Sequence, residues 1–138
     1  MKRLYIDTNI VIDLLVNRAP FYKQAAKLFS YADKNKVKLS IFSLTFDITI
    51  YLLQKSYSPL KTREILRDLK ILVNVLPFDD KIIELALNDT EFDDIEDALQ
   101  YFSAVENKQN IIITRNLKDF KASKLPVMTA GDFLRTTF

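Results

Sequence analysis

The chain contains no cysteine and no histidine. The first absence removes disulfides, thiolate nucleophiles and sulfur-ligated metals; the second removes imidazole as base, acid or zinc ligand. Gly131 is the only glycine among 138 residues, so neither a glycine-rich phosphate loop nor a G-x-G-x-x-G turn can be built. Nucleotide cofactors of the usual kinds are therefore not expected. Long apolar runs are missing too. The opening MKRLYIDTNIVIDLL is broken by Asp7 and Asp13, which argues against a signal peptide or a membrane span. A cytoplasmic chain with no membrane partner is the expectation. What remains for chemistry is carboxylates, hydroxyls, amides, Lys and Arg, an inventory suited to a hard cation with oxygen ligands.

The 20 basic and 18 acidic residues give a net charge of +2, too small by itself to name a partner. At this length the expectation is one domain over 1–138, with a core that needs no staples. Apolar patterning alternates between strand and helix periods along the whole chain. Strands are expected over 4–6, 37–42, 72–76 and 111–113, with a short edge strand at 127–128. Between them run helices. The first starts at Thr8 or Asn9 as cap, and the second has Pro20 in its first turn. A very apolar third follows Ser43 or Thr45 and runs through Leu53, and a fourth opens at Ser58-Pro59. The rest begin at Asp79, at Asp94 and, capped by Thr129, near the end. The helix from Ile95 to Val105 is expected to bury Ile95, Ala98, Leu99, Phe102 and Val105. Such alternation predicts an α/β fold: a central, mainly parallel sheet of four to five strands, with helices on both faces.

Four acids stand where such a fold would use them. Asp7 follows the first strand and Asp119 follows the strand at 111–113, both in the crevice beyond strand carboxyl ends. Asp97 lies at the margin of its helix's apolar stripe. Asp47 is the only charged side chain from Leu39 to Gln54, and an unpaired buried carboxylate is costly. It is therefore expected inside the acidic cluster, where repulsion by Asp7 and Asp97 would strain the metal-free fold. Each acid also has a plain structural role available: Asp7 as a helix cap, Asp97 in a capping box with Asp94, Asp119 in a turn, Asp47 at water or beside an Arg.

Taken in order, DTNIVIDLL, SLTFDITIYLL, EDALQ and TRNLKDF resemble the motifs of PIN-domain proteins, and most nearly the small prokaryotic branch typified by VapC-type toxins of toxin–antitoxin pairs. The resemblance spans the chain. It implies a PIN-like three-layer α/β fold and a Mg²⁺- or Mn²⁺-dependent ribonuclease. The acidic site would comprise Asp7, Asp47, Asp97 and Asp119, the ion resting on Asp7, Asp97 and Asp119. Thr8, Asn9, Thr114 and Asn116 would be supporting polar groups. Arg115, Lys118 and Lys121 would hold RNA phosphates. An antitoxin and a second copy of the chain are the implied protein partners. Two departures stand out: Asp47 replaces a commoner Glu, and Asn116 stands where some members have Asp.

Two other readings fit parts of the chain. A non-catalytic module with the same fold is one. The other is a receiver- or phosphatase-like phosphoryl-transfer domain, which fits poorly because Asn9 lies where a phosphatase wants a second acid and Pro77-Phe78 follow the third strand.

Overall fold

Leu4, Tyr5 and Ile6 have no exposed surface, which places their strand, β1 (Arg3–Ile6), at the centre of the sheet. The computed structural model describes residues 1–138. From β1 the chain enters α1 (Thr8–Leu15) and α2 (Tyr22–Asp33), returns through β2 (Lys38–Phe42), then forms α3 (Leu44–Leu53) and α4 (Pro59–Leu72). Next come β3 (Val73–Leu76), α5 (Asp80–Asn88), α6 (Ile95–Glu106) and β4 (Ile111–Ile113). A single 3-10 turn over Leu117–Phe120, β5 (Val127–Met128) and α7 (Ala130–Thr137) complete it. All pairings are parallel, in the order β3-β2-β1-β4-β5. The expected fold class is the observed one.

Strand side chains alternate between two cores, as the two-residue period requires. Leu4, Ile6, Leu39, Ile41, Ile111 and Ile113 face the larger core, against α1, α2, α4 and α7. Tyr5, Phe42, Leu76 and Ile112 face the smaller one, closed by Tyr101 and Ala104 of α6 and by Phe120. Burial on both faces explains the near-continuous apolar runs.

Most helix starts carry a side-chain cap, though neither Ser43 nor Thr45 caps α3. Ser58, Asp79, Asp94 and Thr129 each accept a hydrogen bond from the first turn of their helix. Three local expectations need correction. Asp7, not Thr8 or Asn9, caps α1, through Thr8 N at 2.7 Å. Pro20 lies ahead of α2, whose cap is Phe21. On α6 the buried stripe is Ala98, Tyr101 and Ala104, whereas Ile95 is exposed and Leu99, Phe102 and Val105 are only partly covered. The stripe turns because α6 packs on α5 as well as on the sheet.

The register matters most at the carboxyl ends of β1 and β4. Leu4 pairs with Ile111 and Ile6 with Ile113, so Asp7 and Thr114 leave the sheet side by side. Asp7 N donates to Ile113 O at 2.9 Å and Thr114 N to Met128 O at 3.0 Å, so both are still tied to the sheet. Phe120 anchors the 3-10 turn that carries Asp119. Phe120→Ala should therefore cost about 3–5 kcal/mol in urea unfolding, while Lys121→Ala, on the exposed side of the same segment, should stay within about 0.5 kcal/mol.

Candidate active site

Asp7 ends the central strand nearly dry, with 7 % of its surface exposed. Its Oδ1 accepts Thr8 N at 2.7 Å. Its Oδ2 accepts the Thr114 hydroxyl at 2.7 Å and Asn9 Nδ2 at 3.3 Å. Burial pushes the Asp7 carboxyl above its ordinary range; the bonds from Thr114 and Thr8 pull it down, and the charge of Asp119 pushes it up. Thr114 is itself fully buried, and its oxygen also accepts Asn116 N at 3.0 Å. One hydroxyl thus fixes both the first acid and the start of the loop that bears Asp119.

Asp97 comes from the first turn of α6. Asp94 caps that helix through Glu96 N at 2.7 Å and Asp97 N at 3.2 Å. The reciprocal half of a capping box is missing, since the Asp97 carboxylate receives no hydrogen bond and joins no ion pair. It faces a pocket of about 250 Å³ instead, together with Asp93, Asp94, Lys118, Asp119 and Lys121. Partial burial, then the charges of Asp119, Asp94, Asp7 and Glu96, raise its carboxyl from 3.8 to about 7. The charge of Asp119 thus bears on both Asp7 and Asp97, and that of Asp7 on Asp97. Tyr5, buried beneath them, is raised by burial and then by the charges of Asp7 and Asp97, and its hydroxyl donates to Gln100 Oε1 at 2.9 Å.

The structure does not bring Asp47 into this group. Asp47 is exposed on α3, and its charge is not among those that raise Asp7 or Asp97. The surface of α3 turned toward Thr8 presents Thr45, whose Oγ1 lies 2.9 Å from Thr8 Oγ1. The apolar neighbours that suggested burial are themselves exposed: Leu44, Ile48, Ile50 and Tyr51. An Asp on such a face reaches water, and the expected strain does not arise.

Arg115 also departs from expectation. Its Nε and Nη2 donate to Asp13 at 2.7 and 3.2 Å, and its guanidinium lies 4.0 Å from the Phe21 ring centroid. Asp13 is completely buried, with Arg18 a further 3.8 Å partner. Arg115 is a tie between the loop after β4 and α1, not a free arm for phosphate. Lys118 and Lys121 are exposed beside the acids, with Lys121 3.9 Å from Asp93. Sequence reasoning missed Asp13, Tyr5 and Gln100. Asp13 carried the signal applied to Asp47, a lone carboxylate in an apolar run.

No group of three acids closes around a single point. The donors fit an ion that takes one or two carboxylates directly and keeps its remaining waters, as Mg²⁺ does. The raised Asp7 and Asp97 carboxyls are the electrostatic deficit such an ion relieves.

A family model described as PIN domain matches residues 3–118. The chain is 29% identical over 139 residues to Ribonuclease VapC1 of Aquifex aeolicus (strain VF5), covering 96% of this chain and 93% of that protein. Among solved structures it is similar to a toxin-antitoxin complex from Klebsiella pneumoniae, with TM-score 0.68 and 23% identity over 92% of this chain and 97% of that one. It is also similar to VapBC-1 from nontypeable Haemophilus influenzae, with TM-score 0.66 and 19% identity over 94% and 98%.

Two measurements test the site's electrostatics. Arg115→Met strands a buried carboxylate and should cost about 3–5 kcal/mol, whereas exposed Asp47→Asn should change stability by less than about 0.5 kcal/mol. For Asp97, the folded state holds a proton that the unfolded chain releases near pH 3.8. That contribution is full below the unfolded value and is lost as pH rises through about 7. In EDTA, Asp97→Asn should therefore gain stability relative to wild type between about pH 4 and about pH 8, read by urea unfolding.

Proposed function

The chain belongs to the PIN-domain family, and on that footing we propose that it is a metal-dependent endoribonuclease, the toxin of a toxin–antitoxin pair. The observation that carries the reading is an Asp97 carboxylate with no hydrogen-bond or ion-pair partner, sharing a pocket with Asp119 and raised by the charges of Asp119 and Asp7, at the carboxyl edge of the sheet. A structural cluster would pair these charges. Here the Asp97 carboxylate is left without a donor in a pocket bordered by two lysines.

Asp7, Asp97 and Asp119 would hold Mg²⁺ or Mn²⁺, some of them through water. When bound, such an ion supplies charge to a non-bridging phosphate oxygen and lowers the pKa of a water, the requirement for hydrolysing a phosphodiester at neutral pH. The protein does the positioning. Thr114 and Asn9 keep the Asp7 carboxylate in one orientation. Thr114 also accepts the Asn116 backbone N–H, which holds the start of the loop that bears Asp119; the exposed Asn116 amide would help orient the attacking water. Lys118 and Lys121 suit the phosphates either side of the scissile one. Without the ion, the Asp97 carboxyl holds a proton near neutrality.

The Aquifex aeolicus relative is a ribonuclease, and the Klebsiella pneumoniae structure is a toxin–antitoxin complex. Both come to this chain as part of the proposal, with RNA as substrate and an antitoxin as partner. Self-association is supported by the apolar side chains that α3 and α4 leave exposed, among them Ile48, Tyr51, Leu60 and Ile71. No helix is long and apolar enough to cross a membrane.

Wild type should cleave single-stranded RNA with Mn²⁺ or Mg²⁺ and stop in EDTA, and millimolar Mn²⁺ should raise its melting temperature. Asp97→Asn should lose at least about two orders of magnitude in cleavage while remaining folded, and should lose most of the Mn²⁺-induced rise in melting temperature. A melting temperature indifferent to Mn²⁺, with no cleavage, would leave the non-catalytic module as the better reading.

A further inference from the structure

A second pocket of about 250 Å³ shares no lining residue with the acidic one and is lined by Ile10 and Asp13 of α1, Phe21 and Gln24 at the start of α2, Arg115, and Thr129 ahead of α7. None of the expected site residues except Arg115 reaches it. It is nevertheless close to Asp7. Arg115 directly follows Thr114, which bonds Asp7, and Asp13 is six residues beyond Asp7, about 9 Å of chain by helical rise. One nucleotide bridges such a gap from phosphate to base.

The lining selects a flat, uncharged ligand with a polar edge. Asp13 neutralises Arg115, so the pocket is not a phosphate site, yet only Nε and Nη2 of the guanidinium are engaged and Nη1 remains free. Phe21 and the guanidinium stack together, and planes of these two kinds are what unpaired RNA bases lie against. Gln24 makes no hydrogen bond within the protein, so its carboxamide is free to donate and accept. It rests against the chain's only glycine. A Cβ at Gly131 would meet Gln24 Nε2 at 2.7 Å and Cδ at 3.0 Å. Gly131 is the second residue of α7. The space it leaves keeps the carboxamide beside the pocket.

We propose that this pocket binds a nucleobase of the RNA next to the scissile phosphate, adenine foremost, with Gln24 reading the base edge beside the Phe21–Arg115 stack. A carboxamide and adenine match through two hydrogen bonds, which is the basis for naming that base. The inference rests on the ribonuclease reading and adds a specificity site to it.

Two experiments decide it. In the first, wild type, Gln24→Ala and Gly131→Ala cleave an RNA pool randomised around the scissile bond, and the products are sequenced. Wild type should favour adenine at one position beside the cut, and Gln24→Ala should lower that preference about fivefold or more. Gly131→Ala should alter the same position by pushing the carboxamide aside, while alanine favours the helix, so misfolding does not confuse the result. Cleavage by wild type with no base preference, or an unchanged preference in Gln24→Ala, would overturn the proposal and leave the ribonuclease reading intact. Absence of any cleavage by wild type would instead defeat that reading. The second experiment needs no activity: adenosine, with uridine as control, is titrated into metal-free protein while the Gln24 side-chain amide signals are followed by NMR. A saturable shift with adenosine and a smaller one with uridine is the expected result. No shift at millimolar adenosine would overturn the proposal.

Discussion

The hydroxyl of Thr114 on the carboxylate of Asp7 is the contact on which the arrangement depends. It joins the ends of the two central strands, 2.7 Å across, in a place with almost no water. A carboxylate in such surroundings persists only with donors, and Thr8, Thr114 and Asn9 supply them. Those donors come from α1 and from the loop after β4, so the elements that flank the crevice are held by the acid they present. Removing the hydroxyl would disturb the acid, the loop carrying Asn116 and Asp119, and the strand ends together.

A second bond across the same junction serves a different purpose. Asp13 and Arg115 join α1 to the same loop one residue further on, with two hydrogen bonds and complete burial of the carboxylate. An ion pair of this kind contributes little net stability compared with apolar packing, but it is unforgiving of small displacements. The loop after β4 is thus fastened twice, by a neutral hydroxyl at Thr114 and by a charge at Arg115, before it reaches the exposed acid at Asp119. It also divides two pockets of opposite character, one acidic and one neutral and stacked.

Most of the architecture was legible because it rests on short-range rules. β-branched and aromatic runs bounded by polar caps placed the strands; Asp79, Asp94 and Thr129 marked helix starts through chemistry that acts within a turn. What was illegible depended on which face of an element meets which neighbour. Asp13 and Asp47 are each a single carboxylate in an apolar stretch, and local pattern gives no ground to separate them. The fold packs α1 against α2 and sets Arg115 on Asp13, so Asp13 is sealed. It leaves one face of α3 outside, so Asp47 sees water although its neighbours are Ile48 and Phe46. The shifted stripe on α6 has the same origin, since packing against α5 adds a second direction from which the helix is covered.

Strand order has a consequence for how the molecule comes into being on the ribosome. β1 is made first but lies in the middle, between β2 and β4. The segment to Leu76 can pair β1, β2 and β3, yet one side of β1 stays open until residue 111 is available. The Asp7–Thr114 bond spans 107 positions of sequence. Chains fold from the amino terminus as they emerge, so β1 to α6 are all synthesised before Asp7 can meet Thr114. Any fragment that ends before β4 carries Asp7 and Asp97 without the strand that registers one against the other. Assembly of the site is thereby a report that translation has passed beyond the middle of the fold and reached its closing strand.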